Sequence, residues 1–206
     1  MPIPDILQLV DFSIIKPLWV GLLRPILRRF GISDEPRLVV EGTFDRADQD
    51  HLRWLHVRVT AQPQKWPAHL VKSIPKCRIG LVFTSPEGDQ IAVRGMWAKD
   101  EPGEMSLERD LSCGDQPALF SIAVRSTQEH QVRVQPQARL SPNVTYISGA
   151  AFLAHGYTNF QLAPGEYEVA IGLQSGGRDW SRTLWRLQNP QIGIADFTMA
   201  RRESGS

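Results

Sequence analysis

From Ile14 to Phe30, apolar side chains come in pairs four positions apart: Ile14–Ile15, Leu18–Trp19, Leu22–Leu23, Ile26–Leu27, then Phe30. That recurrence places one wide apolar stripe on a helix. Lys16, Arg24 and Arg28 recur on a different strip of the same surface, with Arg29 beside them. Gly31 supplies a helix stop, and the Arg28–Arg29 pair suits the negative end of a helix dipole. Pro17 and Pro25 each remove a backbone donor, so the segment reads as a run of short helices sharing one apolar side.

Beyond Ser33–Pro36 the period falls from four to two. Leu38–Phe44 reads as a strand, and Leu55, Val57, Val59 and Ala61 alternate with His56, Arg58 and Thr60. Cys77, Ile79, Leu81 and Phe83 alternate up to a Ser85–Pro86–Glu87–Gly88 turn, from which Ile91–Trp97 returns as the second arm of a hairpin. Further strands are expected at Phe120–Val124, Val132–Val134, Phe160–Leu162, Tyr167–Leu173, Ser181–Leu187 and Ile192–Phe197. Turn signals stand at Pro164–Gly165 and Gly176–Gly177. Many short strands with no long helical pattern between them predict a mainly β fold, an antiparallel immunoglobulin-like β-sandwich. The expected organisation is an amphipathic helical segment over 1–36, a β-sandwich domain over 37–199 and a flexible tail over 200–206.

Within that domain, Pro164–Gly165–Glu166–Tyr167 matches a turn and strand start in which a tyrosine pins the corner of a sandwich. Taken with Cys77, the hairpin to Trp97, Ser175–Gly176–Gly177, Trp180, Asn189 and Phe197, the chain resembles a loose group of prokaryotic immunoglobulin-like β-sandwich proteins over roughly residues 38 to 199. In that group an arginine stands next to the tryptophan, whereas Arg94 here stands three residues before Trp97. The resemblance implies a fold and no chemistry.

Composition sharpens the list of activities. Of 206 residues, 42% are apolar and 22% charged, enough for a packed core. With 23 basic and 22 acidic side chains the net charge is +1, which supplies no long-range field for a polyanion, and nucleic acid is not an expected partner. Cys77 and Cys113 are too few for a disulfide scaffold and too far apart for a zinc knuckle, leaving free thiols or a single bridge. The first ten residues carry Asp5 and no Lys or Arg, unlike a secretory signal. A cytoplasmic location is expected, with membrane association as a further option for the stripe. Asp11, Lys16, Arg24 and the prolines oppose a transmembrane span.

Candidate chemistry is thin. Gly172–Gly177 has the glycine spacing of a phosphate loop, but Arg178 and Asp179 stand where lysine and serine or threonine are required. His51, His56, His69, His130 and His155 show no ligand spacing among themselves and read as surface or loop residues. Asp45, Asp48 and Asp50 read as a solvated acidic loop without the glycine and distal glutamate of a calcium loop. Asp100, Glu101, Glu104, Glu108 and Asp110 read as a second acidic loop, or as a docking surface for a basic partner. No catalytic residue, cofactor or metal ligand is expected. Tryptophan is enriched both in large cores and at binding hot spots, and Trp66 and Trp180 fall in predicted loops. The expected function is therefore a non-catalytic binding or assembly module. It would engage a protein partner, or a second copy, through Ile14, Leu18, Trp19, Leu22 and Ile26, or through Trp66 and Trp180. A sandwich-fold hydrolase acting on a carbohydrate and a peripheral membrane protein are the alternatives.

Overall fold

The computed structural model describes residues 36–49, 51–62, 73–98, 105–132, 138–148 and 161–202. The described chain is mainly β, and no helix occurs among the described residues. The amphipathic segment predicted over 1–36 lies outside them, apart from Pro36. In chain order the strands are β1 (Arg37–Gln49), β2 (Leu52–Gln62), β3 (Ser73–Thr84), β4 (Gln90–Arg94) and β5 (Met96–Ala98). Next come β6 (Met105–Ser106), β7 (Arg109–Ser112), β8 (Ala118–Ser126), β9 (His130–Val132) and β10 (Ala138–Leu140). The last are β11 (Thr145–Ile147), β12 (Gln161–Leu162), β13 (Gly165–Ser175), β14 (Arg178–Asn189) and β15 (Thr198–Arg201).

They form two antiparallel sheets and a small separate hairpin. The first sheet runs β1-β2-β8-β11-β12, with β5 also on β8 and β6 on β5. The second runs β15-β14-β13-β3-β4, with β7 on β3, and β9 pairs only with β10. Alternation dictates what meets between the sheets. Leu55, Val57 and Val59 of β2 and Phe120 and Ile122 of β8 share one buried cluster with Ile79, Leu81 and Phe83 of β3 and Val169, Ile171 and Leu173 of β13. Trp97 and Trp185 sit fully buried in it. Trp97 Nε1 donates to the Cys77 carbonyl at 2.8 Å, and its ring meets Phe120 edge-on at 5.6 Å.

Several boundaries depart from the sequence expectation. β1 continues through Asp45 and Arg46, paired with Leu55 and Trp54, so Asp45 and Asp48 belong to a strand and not to an acidic loop. The expected strand Ile91–Trp97 is two: β4 stays with β3, and β5 crosses to the first sheet to pair with β8. Gly95 makes the crossing possible, since a Cβ there would lie 2.7 Å from Ile79 Cγ2. Residues 190–197 form a loop where a last strand was expected, with Gly193 at φ 80°, and the strand β15 follows it to Arg201, inside the predicted tail. The acidic stretch is only partly loop: Asp110 lies in β7, Glu108 pairs with Arg78, and Asp110 accepts the Lys76 amide at 2.7 Å. The turn at Gly176–Gly177 holds, with φ of 59° and 76°, the left-handed pair a two-residue hairpin demands.

One end of the shared core is polar. Arg125 of β8 is 1% exposed, and its guanidinium donates to Thr145 Oγ1 at 2.9 Å, Asn189 Oδ1 at 3.2 Å and the Gly193 and Gln191 carbonyls at 2.6 and 3.0 Å. Burial pulls its pKa below the usual arginine value. Asn189 in turn donates to the Leu162 and Ala163 carbonyls. A cation ringed by neutral acceptors thus ties β8, β11, β14 and the 190–197 loop together. Arg53 adds bonds to the Ile194 and Ala195 carbonyls of the same loop.

Candidate interaction surface on the open sheet face

The outward faces of the two sheets are unlike. Behind the first sheet, Leu52, Trp54, Met96, Val124 and Tyr146 form a second buried cluster, closed by Leu140 of β10. Behind the second sheet the outward positions are mostly polar or small, with Val82 and Leu184 as apolar exceptions. Register sets them in rows. Gly80 of β3 pairs with Arg94 of β4 on one side and Gly172 of β13 on the other, and Gly172 pairs with Arg182 of β14. The row therefore reads Arg94–Gly80–Gly172–Arg182 across four strands, with both arginines and Gly80 exposed. Three strand spacings separate the arginine Cα atoms by roughly 14 Å. The next row reads Ala92–Val82–Ala170–Leu184, with Leu184 37% exposed.

Packing does not explain the glycine floor. A Cβ on Gly80 or Gly172 would meet nothing closer than the other's carbonyl oxygen at 4.0 Å, and neither has a positive φ. Glycine in a strand interior weakens it and often marks a close approach by another group. Charge points the same way. Arg186 bonds Glu166 at 2.8 Å, while Arg202 pairs with Glu168 and Arg78 with Glu108. Arg94 and Arg182 have no ion-pair or hydrogen-bond partner among the described residues. The face thus offers two guanidinium groups, uncompensated among the described residues, on either side of a flat, side-chain-free strip. An open recess of about 540 Å³ adjoins it, lined by Ser85, Pro86, Glu168, Arg186 and Arg202. Its charges are already paired.

Of the residues singled out from sequence, Ile14, Leu18, Trp19, Leu22, Ile26 and Trp66 lie outside the described residues. Trp180 is described, and it is not in a loop. It belongs to β14, is half-buried against the shared core, and carries the Arg178 guanidinium 4.8 Å above its ring. Its Nε1 is buried without a hydrogen-bond partner. Cys77 and Cys113 are free thiols, and burial pushes Cys77 up to about 12, which makes it a poor nucleophile. Ser121 Oγ lies 2.9 Å from His56 Nδ1, a pair found only through strand register. Ser121 is 1% exposed and His56 is stacked on Trp54, so no substrate reaches that hydroxyl. No group of three or more potential metal ligands occurs among the described residues.

Sequence reasoning missed Arg94 and Arg182 as a pair. Each sits at an outward position of an alternating strand, but 87 residues separate them in the chain and three strand pairings bring them into one row. The one signal available was glycine at Gly80 and Gly172, inside two runs otherwise rich in strand formers. Comparison with protein-family models, with curated proteins and with solved structures found no match. No helix among the described residues is long and apolar enough to cross a membrane.

Proposed function

We propose that the chain is a non-catalytic binding module on an immunoglobulin-like β-sandwich, and that its open β4–β3–β13–β14 face engages an acidic, extended segment of a partner protein. The Arg94–Gly80–Gly172–Arg182 row carries this reading. An extended segment advances about 3.3 Å per residue, so acidic side chains about four residues apart fall on one face and span the two arginines. The glycine floor lets the intervening backbone approach closely, and Val82, Ala170 and Leu184 give it an apolar rim. Supporting the immunoglobulin-like assignment, Tyr167 donates its hydroxyl to the Ala163 carbonyl at 3.0 Å, in the manner of a tyrosine corner. The free thiols favour a reducing, cytoplasmic setting. The stripe of Ile14, Leu18, Trp19, Leu22 and Ile26, together with Trp66, is a second contact surface proposed from sequence alone.

The test uses fluorescence anisotropy with labelled peptides carrying two glutamates at varied separation. Binding is expected to peak at a separation of about four residues, to weaken with added salt, and to be lost in the Arg94→Glu/Arg182→Glu variant with its melting temperature unchanged. Equal binding by wild type and that double variant would refute the assignment of this face.

A further inference from the structure

His51 stands in the turn between β1 and β2, and His130 begins β9, 79 positions along the chain. Folding brings their rings together: His51 Nε2 and His130 Nδ1 are 3.4 Å apart, with ring centroids at 5.4 Å and planes inclined by 56°. The separation lies beyond the usual 2.7–3.2 Å range of a hydrogen bond from nitrogen. It matches a different geometry. Two imidazole nitrogens bound to one tetrahedral zinc at about 2.0–2.1 Å are about 3.3–3.4 Å apart, and their ring centroids about 5.2 Å.

The backbone of both residues is anchored. The His51 carbonyl accepts the Thr127 amide at 2.9 Å and the Ser126 hydroxyl at 3.1 Å, which anchors the turn to the end of β8. His130 is fixed by its pairing with Leu140, whose side chain closes the outer cluster. The adjacent Glu129 carboxylate is engaged by Arg139 at 2.9 Å.

We propose that His51 Nε2 and His130 Nδ1 form a two-imidazole site for a borderline transition ion, zinc foremost, with water completing the coordination. The ion links the β1–β2 turn to the β9–β10 hairpin, so its binding stabilises the cover over Leu52, Trp54, Val124 and Tyr146. Imidazole ligands select zinc, nickel and copper over magnesium or calcium, which prefer oxygen. Two protein ligands make an exchangeable site rather than a structural one, which departs from the expectation of no metal ligand drawn from spacing.

The experiment is zinc titration of the full-length, tag-free protein by calorimetry and thermal melting, with magnesium in parallel. Zinc is expected to bind and to raise the melting temperature, and magnesium to do neither. His51→Asn and His130→Asn should each weaken zinc binding about tenfold or more. Mapping of histidine modification by diethyl pyrocarbonate gives a readout on wild type alone: zinc should protect His51 and His130 together. No zinc-dependent shift, unchanged affinity in both variants, or protection confined to other histidines would each overturn the site.

Discussion

The two sheets share one core yet treat their outward faces in opposite ways. Behind the first sheet a hairpin covers Leu52, Trp54 and Val124, and the buried His56 ring and Ser121 hydroxyl pair with each other. Among the described residues nothing behind the second sheet covers Gly80, Gly172, Arg94 and Arg182, or pairs with the two guanidinium groups. The same residue type makes the contrast sharpest. Arg125 is 1% exposed and satisfied by four neutral acceptors, whereas Arg94 and Arg182 are exposed and meet no acceptor among the described residues. A buried arginine is an architectural element, because water cannot reach its acceptors if it leaves. An exposed arginine is available to a ligand, because water satisfies it until one arrives.

Substitution of these arginines is the largest way to break the comparison. Arg125→Met should cost about 3–5 kcal/mol, since it removes the donor to Thr145 Oγ1 and to the Gly193 and Gln191 carbonyls and leaves Asn189 Oδ1 with the Thr145 hydroxyl alone. Urea denaturation reads this as a fall in midpoint at constant slope. A loss below about 1 kcal/mol would mean that water replaces the guanidinium, and that this end of the core is wet.

Glycine gives the next contrast. Gly95→Ala should destabilise by about 1–3 kcal/mol, because the new methyl lies under 3 Å from Ile79 and its surroundings are packed. Gly172→Ala should be neutral or stabilise by about 0.5 kcal/mol, since its Cβ meets only the Gly80 carbonyl oxygen at 4.0 Å and the unfolded chain loses freedom. Equal destabilisation at both positions, followed by thermal melting, would show that the open face is packed after all.

The smallest effect is predicted where the proposed function lies. Arg94→Ala and Arg182→Ala should each change stability by no more than about 0.5 kcal/mol, while each lowers affinity for an acidic peptide and flattens its salt dependence. Thermal melts and anisotropy on the same samples separate the two effects.

Much of the fold was legible. The alternation at Leu55–Ala61, Cys77–Phe83 and Tyr167–Leu173 marked β2, β3 and β13, because a strand buried on one face must alternate and the chain has no other way to do so. Gly176–Gly177 and Pro164–Gly165 marked turns for equally local reasons. The Gly95 crossing was not legible. Ile91 to Trp97 reads as one strand until Ile79 is known to press on residue 95. Nor was Trp180, whose position after two glycines suggested a loop, although the turn is tight enough for β14 to begin at Arg178.

The sequence by itself determined that β2, β3, β8, β13 and β14 are strands, which face of each is apolar and where the turns at Pro164–Gly165 and Gly176–Gly177 fall, since those depend on neighbours within a few residues. Tertiary structure alone decided that Arg125 meets Asn189, that His51 meets His130, and that two glycines separate Arg94 from Arg182. Such pairings depend on register between strands far apart in the chain. A shift of one residue would turn every one of these side chains to the opposite face.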